Sequence, residues 1–195
     1  LAIKSNRRVE KTVSQPLAFD RFFLFKGFYA GFCLLLMGIP YGMLVTYVAI
    51  YGKELGIKSG IGLFFSLMAI GLIGARVLAG KMVDRGKLVK VITYGTLISV
   101  ITDHHLIVII LFYLVSMFLG VGYGMVFPAY NTLFVNLAPN NRRATASSTY
   151  MTSWDIGIGV GLVTGGWLAD GTGGLQMAYL AGAFALLVSL VFFTR

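Results

Sequence analysis

Six stretches of this chain are too apolar to be surface elements of a water-soluble domain. They run Gly27–Tyr51, Ile61–Met82, Leu88–Ile101, Leu106–Asn136, Ala144–Leu168 and Gln176–Phe193. A helix needs about 20 apolar residues to cross a hydrocarbon core of about 30 Å, and all but the third stretch are long enough. Gly and Pro within them are no objection, because spanning helices tolerate both. An outer-membrane strand would alternate apolar and polar residues over about 10 positions. LIVIILFYLV (106–115) and LAGAFALLVSLVFF (180–193) show no such alternation. Charged residues make up 12% of the chain, against about 25% in a soluble domain. This excludes a disordered chain, a coiled coil and an ordinary soluble enzyme. Cys33 is the only cysteine, which excludes a disulfide scaffold. The expected fold is all-α, an integral membrane six-helix bundle over 21–195.

The third stretch is anomalous. Leu88–Ile101 spans roughly 21 Å as a helix at 1.5 Å per residue. Either this crossing is strongly mismatched to the bilayer, or the chain lacks several residues between Ile101 and His104. The second reading is favoured, and it predicts a chain break or poor geometry near Thr102. Residues 1–20 are basic and polar, contain Pro16 and lack the apolar core of a signal peptide. They are read as a cytoplasmic basic linker. Together with a first residue that is Leu rather than Met, this suggests that another segment precedes it.

The net charge of +9 is unevenly placed. Lys4, Arg7, Arg8, Lys11, Arg21 and Lys26 precede the first span, and Lys81, Arg85, Lys87 and Lys90 surround the second-to-third loop. Arg142 and Arg143 lie in the fourth-to-fifth loop, and Arg195 ends the chain. The opposite side holds Lys53 and Lys58, while Arg76 lies within a span. The positive-inside rule then places both termini in the cytoplasm, which requires an even number of crossings. The expected location is the cytoplasmic (plasma) membrane. Nucleic-acid binding is set aside, since the basic residues sit in short loops between apolar helices without interleaved aromatics.

In the second span Gly62, Ser66, Ala69, Ile73, Arg76, Gly80 and Asp84 fall on one helical stripe. Small residues in a stripe let another helix approach, and a charged pair is costly against lipid, so this face is expected to meet protein. At the exit of this span the chain resembles the major facilitator superfamily of secondary transporters. The family's loop signature is approximately G-x-x-x-D-R-x-G-[RK]-[RK]. Gly80, Asp84 and Arg85 match it, Gly86 follows Arg85 directly, and Lys87 continues the basic pair. LGVGYGMVFPAYNTLF (119–134) and APNNRRATASSTY (138–150) support the resemblance, which extends from Phe22 to Arg195.

The resemblance implies half of a twelve-helix fold, here the C-terminal half, with an N-terminal six-helix half as partner. It also implies that Arg76, Gly80, Asp84 and Arg85 belong to a cytoplasmic gate, where a carboxylate faces a helix N-terminus of the other half. Asp84 and Arg85 as simple helix anchors are the alternative. The family's sixth helix faces lipid, which agrees with the nearly unbroken apolar sequence here.

The polar residues inside the spans are the candidate site. Asp155 is the twelfth of 25 residues in the fifth span, close to mid-membrane. A central Asp costs roughly 2.5–3.5 kcal/mol on insertion scales and is a functional candidate by default. Ser148, Thr152 and Gly159 share its face. A carboxyl that gains and loses a proton between states would couple transport to protons. Helix-to-helix bonding and a salt bridge to the missing half are the other roles open to it. Gly157, Gly161 and Gly165 form a second stripe suited to close helix packing.

In the fourth span Ser116, Gly120, Tyr123, Tyr130 and Asn131 share one side, and Pro128 frees a backbone carbonyl. The resemblance turns this side toward a central cavity; an interfacial position is the alternative for Tyr130. Tyr41 follows Pro40 near the middle of the first span, where kinked helices build transporter sites. Tyr41 and Trp154 are read as solute contacts or as core aromatics. Asp103, His104 and His105 lack the spacing of metal ligands, and no cofactor or nucleotide motif is present.

The expected function is a secondary active transporter (permease) for a small polar or amphipathic solute, working by alternating access within the lipid bilayer. Two other classes stay open. One is a self-contained six-helix channel or scaffold that dimerises. The other is an intramembrane enzyme with Asp155 as acid, for which Arg76 is the only other interior charge.

Overall fold

The computed structural model describes residues 24–57, 60–84, 88–103, 109–171 and 173–194. They form six helices: α1 (Phe28–Glu54), α2 (Gly62–Asp84), α3 (Leu88–Asp103), α4 (Ile109–Leu137), α5 (Arg143–Ala169) and α6 (Gly174–Thr194). Each expected span is a helix, with ends within a few residues of those read from sequence. Residues 1–20 lie outside the described residues.

Local chemistry sets the ends. After α1, the Gly56 N–H bonds the Lys53 carbonyl (3.0 Å) and the Ile57 N–H bonds the Gly52 carbonyl (2.9 Å). Gly56 has φ +84°. This is a Schellman stop, which needs the left-handed conformation that glycine reaches most readily. Pro139, extended at ψ 156°, follows the end of α4 and cannot continue it. A 3-10 turn at Asn140–Arg142 then leads into α5, where Arg143 donates to the Asn140 side chain at 2.9 Å.

The third span differs from expectation. α3 continues through Thr102 to Asp103, with no break at Thr102. Residues 104–108 lie outside the described residues. The helix remains short, about 24 Å at 1.5 Å per residue. The segments Phe25–Glu54, Phe112–Leu137 and Gly174–Thr194 are long and apolar enough to span a bilayer by themselves. In α2 and α3 the described apolar segments, Gly62–Val77 and Val89–Ser99, are shorter. α5 has the length, but Ser, Thr, Gly and Asp dilute its apolarity.

The helices pack in a repeating pattern. α1 lies closely on α5, and α2 on α4; α1 also packs on α6, and α3 on α4. Replacing each helix by the one three places on reproduces these pairs. Glycines fix the register of the repeat. A Cβ on Gly38 would meet the Trp154 carbonyl, and one on Gly42 the Ile158 carbonyl. In the other crossing, Gly120 faces the Met68 carbonyl and Gly124 the Leu72 carbonyl. Likewise Gly71 lies against Met117, and Gly157 against Leu35. Gly38 and Gly42 therefore correspond to Gly120 and Gly124, and Met68 and Leu72 to Trp154 and Ile158. Only glycine permits such backbone approach. The Gly157, Gly161, Gly165 stripe packs against α1, as its spacing implied.

The α2 stripe behaves differently. Among the described side chains of α2, Phe64, Met68, Gly71 and Ala75 are the buried ones. Gly62, Ser66, Ala69, Ile73 and Arg76 are exposed, and a Cβ on Gly62 would meet nothing within 4 Å. This stripe is not a packing face of the bundle. In the register of the repeat its counterpart on α5 is Ser148, Thr152, Asp155 and Gly159, which is exposed as well.

Candidate functional site

Tyr41 and Tyr123 occupy equivalent positions in α1 and α4, each following a glycine or proline and preceding the second crossing glycine. The close crossings bring their helices together with α5. Their rings meet edge-on, 4.9 Å apart between centroids. Trp154 reaches Tyr41 at 5.0 Å, and Phe127, one turn beyond Tyr123, reaches Trp154 at 4.6 Å. The remaining pairs lie at 6.0–6.1 Å, so all four rings touch one another. Each such contact contributes about 0.5–1.5 kcal/mol beyond area burial. Tyr123 is buried; Tyr41, Phe127 and Trp154 are half-buried, so the cluster has an accessible side.

Phe127 also borders a cavity of about 470 Å³, lined by Arg76, Pro128, Asn131, Ser147, Tyr150 and Met151 as well. Helical spacing explains the grouping. Phe127, Pro128 and Asn131 share one face of α4, and Ser147, Tyr150 and Met151 share one face of α5. Arg76 completes the lining from α2. The guanidinium, amide and two hydroxyls supply hydrogen-bond donors, while Phe127 and Met151 supply apolar surface. No carboxylate lines this cavity among the described residues. Pro128 has no N–H, so the carbonyl one turn earlier loses its helix partner. The Pro128 carbonyl accepts from Thr132 Oγ1 at 2.9 Å.

A larger groove of about 670 Å³ lies between the end of α5 and the start of α6, lined among others by Trp167, Met177, Leu180 and Phe184. These side chains are exposed and apolar, and Asp170 is the only charged residue among them. The smaller cavity, with its convergent polar groups, has the character of a solute site.

The structure thus brings together Tyr41, Tyr123 and Trp154, and places Arg76 with Asn131. Asp155 and Thr152 are exposed on α5 and do not line the cavity; Asp155 stands one turn beyond Met151. Tyr130 does not line this cavity. It is fully buried and packs on Phe193 of α6 with centroids 5.6 Å apart. Its ring turns away from the face that carries Asn131, toward α1 and α6. Gly80, Asp84 and Arg85 lie outside the residues whose surroundings are described. Sequence reasoning missed Phe127, Ser147 and Tyr150. Phe127 was discoverable as the residue one turn after Tyr123 and just before Pro128.

The sequence profile of the Major Facilitator Superfamily matches residues 30–195, across all six helices. No curated protein matches the chain. The family's members are membrane transporters that bind small molecules within the bilayer, and a six-helix bundle of this kind is one half of their fold. By the breadth of that match and by its helical architecture, the chain belongs to the major facilitator superfamily of membrane transporters.

Proposed function

We propose that this chain is the C-terminal six-helix half of a secondary active transporter that moves a small polar or amphipathic solute by alternating access. The observation that carries this reading is the four-ring cluster beside a polar cavity, both built from helices that cross at glycines. Phe127 links the cavity to the other three rings, and in this reading the cluster is the barrier between the cavity and the opposite end of the bundle. Arg76, Asn131, Ser147 and Tyr150 contact the solute, with Phe127 and Trp154 against its apolar part. The exposed stripes of α2 and α5 face the N-terminal half, which covers Asp155 and Thr152. Both termini are cytoplasmic in this reading, and the protein resides in the plasma membrane, with Arg142 and Arg143 at the cytoplasmic end of the cavity.

Accessibility tests the mechanism. Ser147 lines the cavity, and Thr46 is the counterpart of Pro128 toward the other end. In a background without other cysteines, Ser147→Cys and Thr46→Cys are labelled with a membrane-impermeant maleimide in vesicles of each orientation. Alternating access predicts that conditions which expose one position protect the other. A dimeric six-helix channel would leave both reactive together, and that result would end the transporter mechanism.

Asp155 lies at mid-membrane, so covering it makes its charge state matter. Asp155→Asn is expected to reduce proton-driven alternation by about tenfold or more while the fold is retained. Unchanged alternation across pH would remove Asp155 from the coupling step.

A further inference from the structure

We propose that the solute is an organic anion with a planar apolar body, whose charge is received by Arg76. This rests on the transport reading above and narrows it to a substrate class.

Four observations converge. Arg76 is the only charged residue between Gly62 and Gly80, flanked on its exposed face by Ile73 and Val77. A cation carried in an apolar wall is stabilised by an anion brought to it. The cavity it lines contains the Asn131 amide and the Ser147 and Tyr150 hydroxyls, and no carboxylate among the described residues. That set satisfies a carboxylate with a planar guanidinium and neutral donors. Phe127 joins this polar corner directly to Tyr41 and Trp154, giving a flat group an aromatic surface.

The fourth observation comes from the internal repeat. Continued in register, Arg76 corresponds to Leu162, Asn131 to Ala49, Ser147 to Ile61 and Tyr150 to Phe64. Every polar group of the cavity has an apolar counterpart at the other end of the bundle. The same helix crossings are therefore built without these groups, so packing does not demand them. Their convergence on one cavity is explained by a ligand.

The test uses the full protein in lipid nanodiscs. Trp154 and Trp167 are the two tryptophans of this sequence, and Trp167→Phe leaves Trp154 as its reporter. Benzoate, benzamide and benzylammonium are titrated while indole fluorescence is followed. Benzoate is expected to give saturable quenching about tenfold or more tighter than benzamide, with benzylammonium weakest. Arg76→Gln should bring benzoate down to the level of benzamide without shifting the melting temperature, and Arg76→Lys should retain part of the preference. Equal binding of the three probes, a preference for the cation, no saturable response, or a benzoate preference that survives Arg76→Gln would each overturn the proposal. The maleimide experiment separates the two readings. Alternation without benzoate preference discards the anion and leaves the transporter; Arg76-dependent benzoate binding without alternation discards the transport mechanism and leaves the site.

Discussion

Gly161→Leu is expected to prevent the bundle from folding, with a loss of more than about 3 kcal/mol, above the usual range for overpacked cores. A Cβ at this position would lie within contact of the Ile39 carbonyl and 2.9 Å from the Ile39 Cα. Those are backbone atoms of α1, so no rotamer change relieves the clash. The helices must separate, and the neighbouring contacts of Gly157 with Leu35 and of Gly42 with Ile158 separate with them. Gly161→Ala should already be damaging. Gly74→Ala is the control: nothing lies within 4 Å of a Cβ there, and alanine favours a helix by about 1 kcal/mol over glycine. Yield of monodisperse protein after extraction, with its melting temperature, measures both. A Gly161→Leu protein that extracts and melts like the parent would show that α1 and α5 do not cross in this way.

Trp154→Ala is expected to abolish the mutually exclusive labelling of positions 46 and 147. The substitution removes the ring contacts to Tyr41 at 5.0 Å and to Phe127 at 4.6 Å. These bridge α5 to α1 and α4, so the barrier proposed above loses its link between the three helices. The reactivity of the protected position should rise by about tenfold or more, at a stability cost of up to about 3 kcal/mol for a half-buried ring. Trp154→Phe keeps an aromatic face and should preserve most of the protection. Retained exclusivity in Trp154→Ala would move the barrier elsewhere.

How much of this was legible in the sequence depends on the kind of question asked. The six helices were, because apolar runs such as 106–115 have no other way to satisfy their backbone in a bilayer. Their facing was not. These helices are apolar around most of their circumference, so no amphipathic stripe tells inside from outside. In α2 the small-residue stripe through Gly62 and Ala69 is exposed within these six helices, and Gly71 and Ala75 pack inside the bundle. In α5 the glycine stripe was read correctly, since three glycines four apart leave few alternatives. Tyr41, Tyr123 and Trp154 were each chosen from their own helix, while their meeting depends on crossings that bring distant turns together. Ser147 and Tyr150 were not singled out, because their meeting with Asn131 and Arg76 depends on how α5, α4 and α2 lie together. Asn131 lines the cavity and Tyr130 does not, because neighbours in sequence point about 100° apart on a helix.

The glycine crossings have a mechanical consequence. Where two backbones touch carbonyl to Cα, weak C–H···O attractions add to close packing, and there are no long side chains between them to reorganise. α1 with α5, and α2 with α4, are then stiff twin rods. Between the rods, aromatic side chains take over: the four-ring cluster, and Phe134 against Tyr150 and Gly31. Any change of shape should concentrate at these aromatic contacts between the rods rather than within either rod.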